Sequence, residues 1–318
     1  DSRFALQVDL PPRELDLDVV GVADDGRRAR TRVANVQGMP AVTAPAVRPL
    51  RLDPSLQPRL RQRARGYPGT SAFYVVDLLS GRGAAWNAQA ELPAASSLKV
   101  AIAVVALARA GGSVPAPGSR LDTLLRKTLL LSDNESANEL EIFAAGSTSG
   151  GSYQVNAMMR ELGLLHTDMY GAYLREPSAA GPSRQPIPLR VDEQPDWGPG
   201  KRSTAYDLGM LLREVWLASG GLGTLVRLQP GFTPADARYL LYLLARVPGG
   251  GKLDRFLTPA SGVALLHKAG WIDAARHDTG LLVWPGGIVL ASVMTYRKPG
   301  VGEREDALAG WVAVEAMR

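Results

Sequence analysis

Two groups of strand-like segments, held apart by a long helical block, constrain this chain more than any other feature. The early group is SAFYVVDL (71–78) and AAWN (84–87), joined by the turn SGRG. The late group is GVALLHKAG (262–270), TGLLVWP (279–285) and IVLASVMTY (288–296). Short apolar runs rich in branched and aromatic residues, bounded by glycine, proline and polar turns, read as strands. Helical patterns fill the interval between the groups, near 96–110, 121–131, 136–145, 152–162, 204–218 and 234–246. One helix at 55–65 precedes the first strands, and another at 303–317 follows the last. The simplest assembly is an α/β fold of the α+β type around one five-stranded antiparallel sheet. The terminal helices cover one face and the helical block packs on the other. A cleft between the sheet edge and the block is the natural place for a site.

Residues 1–50 stand apart. FALQVDL and LDLDVVGVA alternate, DDG at 24–26 is a hairpin turn, and RARTRVANV is a return strand. This stretch resembles the last strands of an immunoglobulin-like module. Residues 38–58 are proline-rich and read as a linker. The expected division is a β-rich extension with its linker at 1–50 and one domain at 51–318, with a helical subdomain from about 96 to 260. The interval 174–203, rich in proline, glycine and charge, reads as a long loop of the kind that often carries function.

Composition removes several chemistries. The 318 residues include no cysteine, so disulfides, thiolate nucleophiles and cysteine metal sites are out. The three histidines, His166, His267 and His277, show no metal-ligand spacing. No metal or organic cofactor is implied, and a serine enzyme built from this chain is expected to use a base other than histidine. The formal charge of +5 comes mostly from arginine, with a cluster at Arg59–Arg65. That run could meet nucleic acid or an anionic wall polymer. Without interleaved aromatics or a binding motif, it reads instead as the solvated face of a helix. No apolar run is long enough to span a membrane. The start Asp1-Ser2-Arg3 lacks a signal-peptide pattern, which leaves export open.

Three short stretches can carry chemistry. In LPAASSLKVAIAVV (92–105), Ser96 and Lys99 lie three residues apart at a helix start and so share a face. Unpaired amides and the dipole there favour a developing oxyanion. A lysine whose pKa is lowered by burial or by neighbouring charge can serve as a base. The plain reading is a cap serine and a snorkelling lysine. In LLLSDNESANEL, Ser132-Asp133-Asn134 reads as a helix N-cap that can also aim a hydroxyl and an amide into a cleft. In HKAGW (267–271), Lys268 sits on a late strand and Gly270 permits close backbone approach, the plain reading being an edge-strand lysine beside a bulge.

Taken in order, Ser-x-x-Lys, Ser-Asp-Asn and Lys-x-Gly are the signature of the penicilloyl-serine enzymes. The chain from about residue 55 to 318 resembles the class A β-lactamase-like serine hydrolases of the penicillin-binding protein/β-lactamase superfamily. VNAMMRELGL, STAYDLGMLL and HKAGWIDAARHDTGLLV carry the likeness beyond the motifs. The resemblance implies Ser96 as the acylated nucleophile and Lys99 as its base or proton relay. It implies proton transfer by Ser132 and substrate positioning by Asn134. Lys268 would attract a substrate carboxylate, and the backbone amides of Ser96 and Trp271, beside Gly270, would form the oxyanion hole. Arg276, on the next strand, falls where some members hold that carboxylate. Glu176, in the long loop, is the candidate for activating a deacylating water.

The sequence also departs from the pattern. Ala269 stands where the family carries threonine, and Ala180 stands four residues after Glu176 where an asparagine is usual. The interval from Lys99 to Ser132 is short and that from 176 to 203 is long, so the cleft walls are remodelled. Three functions follow as expectations. The first is β-lactamase-like hydrolysis of β-lactams or related amides and esters. The second is a D-alanyl peptidase, penicillin-binding or esterase-type relative that deacylates slowly. The third, of another class, is a non-catalytic module that binds cell-wall peptides. A pure binder has no need of both lysines, which favours an enzyme. The expected partner is a small molecule of β-lactam or peptidoglycan type rather than nucleic acid, and the resemblance places the protein outside the cytoplasm or in the cell envelope.

Overall fold

A computed structural model describes residues 8, 10, 14–37, 45–112, 114–173, 191–198 and 200–318. In chain order the elements begin with β1 (Glu14–Val22), β2 (Arg28–Gln37), β3 (Arg51–Leu52), α1 (Leu56–Arg65), β4 (Thr70–Asp77), β5 (Arg82–Trp86) and β6 (Leu92–Pro93). A helical block follows: α2 (Lys99–Ala110), α3 (Arg120–Leu130), α4 (Asn134–Ala145), α5 (Thr148–Glu161), then β7 (Arg202–Ser203), α6 (Ala205–Ser219), α7 (Leu225–Leu228) and α8 (Pro234–Ala245). The chain closes with β8 (Ala264–Ile272), β9 (Ala275–Trp284), β10 (Gly287–Tyr296) and α9 (Glu303–Ala316).

The main sheet runs β3-β5-β4-β10-β9-β8 and has six strands rather than the five expected. The sixth, β3, is two residues long and pairs parallel to β5, Arg51 with Arg82 and Leu52 with Gly83. Two residues carry no periodicity, so no sequence pattern announces it. The five long strands are antiparallel, as expected. Every residue of β10 is buried, the signature of a central strand covered on both faces.

Alternation along the strands divides the core in two. On one face Tyr74, Leu281, Leu290 and Met294 pack with the helical block. On the other, Phe73, Leu282, Val289 and Val293 pack with Leu60 of α1 and Leu308 and Val312 of α9. The helix starts follow their capping residues. Thr233 and Asp236 form a reciprocal capping box at α8, and Asp133 accepts from the Ser136 amide to start α4. The arginines of α1 are paired within the fold: Arg59 with Glu315, Arg61 and Arg65 over Trp86, and Arg63 over Trp311. No helix among the described residues is long and apolar enough to cross a membrane.

Among the described residues the N-terminal extension is one two-stranded hairpin, β1 with β2, lying against α8. Exposed ion pairs Arg30–Asp18 and Arg32–Asp16 cross it. Part of the long interval is also described. Asn87 accepts from the amides of Asp192 and Glu193, β6 pairs with β7, and the Ala94 amide donates to the Lys201 carbonyl at 2.8 Å. The return of that interval is thereby laid beside the segment that leads into Ser96.

Candidate active site

The nucleophile turn is tighter than the helix start read from sequence. Residues Ala95–Leu98 form one 3₁₀ turn, and α2 begins at Lys99. Ala95 has φ +48°, a conformation rare for a residue with a Cβ and commonest where function holds it. Strand β8 presses against this turn. A Cβ added to Gly270 would stand 2.6 Å from Ser97 Oγ, 2.8 Å from Ser97 N and 3.0 Å from Ser96 N. Only glycine lets the edge strand meet the turn backbone to backbone, and the Trp271 amide follows directly from that contact. The Trp271 side chain is 65% exposed.

Lys99 is fully buried at 0% exposure, so the snorkelling reading fails. Its Nζ lies 2.5 Å from the Ser132 carbonyl, 2.6 Å from Asn134 Oδ1, 3.2 Å from Ser96 Oγ and 3.5 Å from Ser132 Oγ. The Tyr173 ring lies 4.7 Å away. Burial first, then the Lys268 ammonium, bring the Lys99 amine down to about 7 against the pull of the Asp133 carboxylate. A neutral amine has two hydrogens and one lone pair. The two shortest contacts are to oxygens that only accept, so they take the hydrogens. The lone pair is left to Ser96 Oγ.

The α3–α4 junction supplies the second wall. Ser132 has φ +56°, which turns its carbonyl onto Lys99. Lys268 Nζ donates to Ser132 Oγ at 2.9 Å and to the Ala269 carbonyl at 2.9 Å. Burial lowers the Lys268 amine to about 8, Lys252 adds to the effect, and Asp278 opposes it. Ser132 thus stands between two lysines, both of low proton affinity. Ser96, Lys99, Ser132, Asn134, Lys268 and Gly270 come together from three separate stretches of the chain.

One expected residue, Arg276, does not join them. Arg276 sends Nε to Asp306 Oδ1 at 2.6 Å and Nη2 to Oδ2 at 2.8 Å. Asp306 is on α9, on the far face of the sheet from the helical block. Alternation along β9 puts Arg276 on the face of Leu282, not on that of Leu281, which corrects its expected place at the substrate carboxylate. Glu176 lies outside the described residues.

No sequence pattern marks Tyr173 and Asn138. Asn138 Nδ2 donates to the Tyr173 carbonyl at 3.1 Å, and the Tyr173 amide donates to Asn138 Oδ1 at 2.7 Å. The Tyr173 hydroxyl donates to the Ala95 carbonyl at 3.0 Å. Below them Glu141 is buried, with Oε1 accepting from Ser152 at 2.8 Å and Oε2 without a partner among the described residues. Burial raises this carboxyl to about 7, against the Ser152 hydrogen bond and the Lys201 ammonium.

This geometry sits in a chain of known family. The family model described as the Beta-lactamase enzyme family matches residues 55–113 and 115–316, and the protein belongs to that family. No curated protein sequence matches it. Among solved structures, the chain is similar to PBP-A, with 20% identity over 84% of this chain and 96% of that one and a TM-score of 0.62. A β-lactamase from Sphaerobacter thermophilus matches at 18% identity over 83% and 96%, TM-score 0.59. A β-lactamase from Streptosporangium roseum matches at 17% identity over 84% and 98%, TM-score 0.62. At these identities the likeness shows the β-lactamase/transpeptidase-like fold.

Proposed function

We propose that the protein is a serine hydrolase that forms an acyl-enzyme on Ser96 with β-lactams or related amides and esters. The observation that carries this is the buried Lys99 amine, lowered to about 7, whose lone pair is left to Ser96 Oγ 3.2 Å away. Lys99 takes the Ser96 proton as Oγ attacks the substrate carbonyl carbon. The amides of Ser96 and Trp271 receive the oxyanion. Asn134, whose Oδ1 holds Lys99, offers its amide nitrogen to the substrate. The proton passes from Lys99 through Ser132 to the leaving nitrogen or oxygen, the bond to carbon breaks, and Ser96 carries the acyl group. Lys268 keeps Ser132 in line and supplies positive charge for a substrate carboxylate.

Slow deacylation is the favoured form of this activity. The Tyr173 ring faces Lys99 from the segment leading into the long loop, and Ala180 stands four residues after Glu176 where the family usually carries asparagine. PBP-A, which the chain resembles in fold, has a mutant solved as an acyl-enzyme complex with penicillin G. A β-lactam acyl-enzyme that persists fits a penicillin-binding or esterase-type relative acting outside the cytoplasm. The test is incubation with benzylpenicillin, nitrocefin and a phenyl ester, followed by intact mass and turnover. A long-lived penicilloyl adduct with slow nitrocefin turnover is expected. No adduct and no turnover with any of the three would overturn the enzyme reading and leave a cell-wall peptide binder.

A further inference from the structure

The geometry points to Tyr173 as the positioning residue of the Ser96–Lys99 pair, its ring holding the Lys99 amine and its hydroxyl holding the turn that presents Ser96. The inference rests on the reading of Lys99 as the base that serves Ser96.

Tyr173 touches both halves of the pair at once. Its ring centroid is 4.7 Å from Lys99 Nζ, within the range where an aromatic face attracts an ammonium. Its hydroxyl donates to the carbonyl of Ala95, the residue at φ +48° immediately before the nucleophile. A left-handed alanine is disfavoured on its own and persists only where its surroundings hold it. Tyr173 is itself fixed, because Asn138 of α4 takes both its amide and its carbonyl. Burial pushes the phenol far above its ordinary range, so the ring acts as a neutral plate at every working pH.

The charged groups around Lys99 come from each packed element. Lys268 on β8 lowers its proton affinity, and Asp133 at the α3–α4 junction raises it. Lys201 Nζ lies 4.9 Å from the same Tyr173 ring, and Glu141 of α4 interacts with both Lys201 and Tyr173. The ring opposes the lowering by favouring the ammonium form. Removing it therefore lowers the Lys99 midpoint further, whereas a phenylalanine keeps the ring and leaves the midpoint in place.

The experiment is a titration of the Lys99 ε-carbon by 13C NMR in the full chain, with the pH profile of Ser96 acylation by benzylpenicillin measured alongside. Tyr173→Leu is expected to move the midpoint and the acylation limb to lower pH by about half to one and a half units. Tyr173→Phe is expected to leave both in place and to slow acylation about three- to tenfold through loss of the bond to Ala95. Tyr173→Met carries the same expectation as Tyr173→Leu and replaces it if that variant does not fold. A midpoint that stays or rises in the leucine or methionine variant overturns the inference, as does an equal shift in Tyr173→Phe. A chain that penicillin never acylates overturns the reading of Ser96 instead, while the NMR midpoint still tests the ring.

Discussion

Replacing Glu141 by glutamine makes the stability of the protein less dependent on pH, and the size of the change can be worked out. The Glu141 side chain is buried, Oε1 accepts from Ser152, and Oε2 has no partner among the described residues. Burial raises the carboxyl from 4.5 to about 7, outweighing Ser152 and Lys201. A carboxyl whose folded pKa exceeds its unfolded one binds its proton more tightly when folded. Its neutral form costs nothing extra below pH 4.5, and stability is lost as pH rises from there through about 7. The shift of about 2.5 units, at about 1.4 kcal/mol each, corresponds to about 3 kcal/mol. Glutamine carries no such dependence. Whatever the new amide costs in packing or unmade hydrogen bonds is the same at both ends of the range and cancels in the difference. Urea unfolding of the two proteins at about pH 4 and about pH 8 should give mutational effects that differ by about 3 kcal/mol, with the variant favoured at the higher pH. Equal effects at the two pH values would refute the argument that Glu141 is held protonated by burial.

Other consequences follow from the site. Gly270→Ala would put a Cβ 2.8 Å from Ser97 N, and an overpacking cost of about 1–3 kcal/mol is expected to slow penicillin labelling about 10- to 100-fold while circular dichroism stays native. Lys268→Gln removes a cation that lowers the Lys99 amine, so the acid limb of acylation, where Lys99 takes up its proton, should move to higher pH; a limb that stays put would separate the two lysines. Ala269→Thr restores a hydroxyl beside Lys268. It is expected to speed acylation by carboxylate-bearing β-lactams about tenfold relative to a neutral ester, read as the ratio of the two rates.

Sequence and structure agree where burial or motif order leaves a trace along the chain. The apolar run IVLASVMTY announces β10 because that strand is covered on both faces. Ser96, Lys99, Ser132 and Lys268 are legible because three sparse motifs recur in a fixed order. Tyr173 and Asn138 are not, since one aromatic and one amide 35 residues apart have no periodicity, and only the fold brings them to Lys99. The misplacement of Arg276 has a simple cause. The resemblance gives its place on the strand after Lys268, but its face is set by β9's own alternation, which groups it with Leu282. The two residues of β3 were too few to show a pattern.

The central claim is that Ser96 is acylated with Lys99 as its base. Its most direct test is a peptide map of the protein after a brief exposure to benzylpenicillin at about pH 8, where Lys99 is mostly neutral. A penicilloyl group is expected on the peptide containing Ser96, absent in Ser96→Ala and strongly reduced in Lys99→Met. An adduct on another residue, or labelling of Ser96 at the wild-type rate in Lys99→Met, would contradict it.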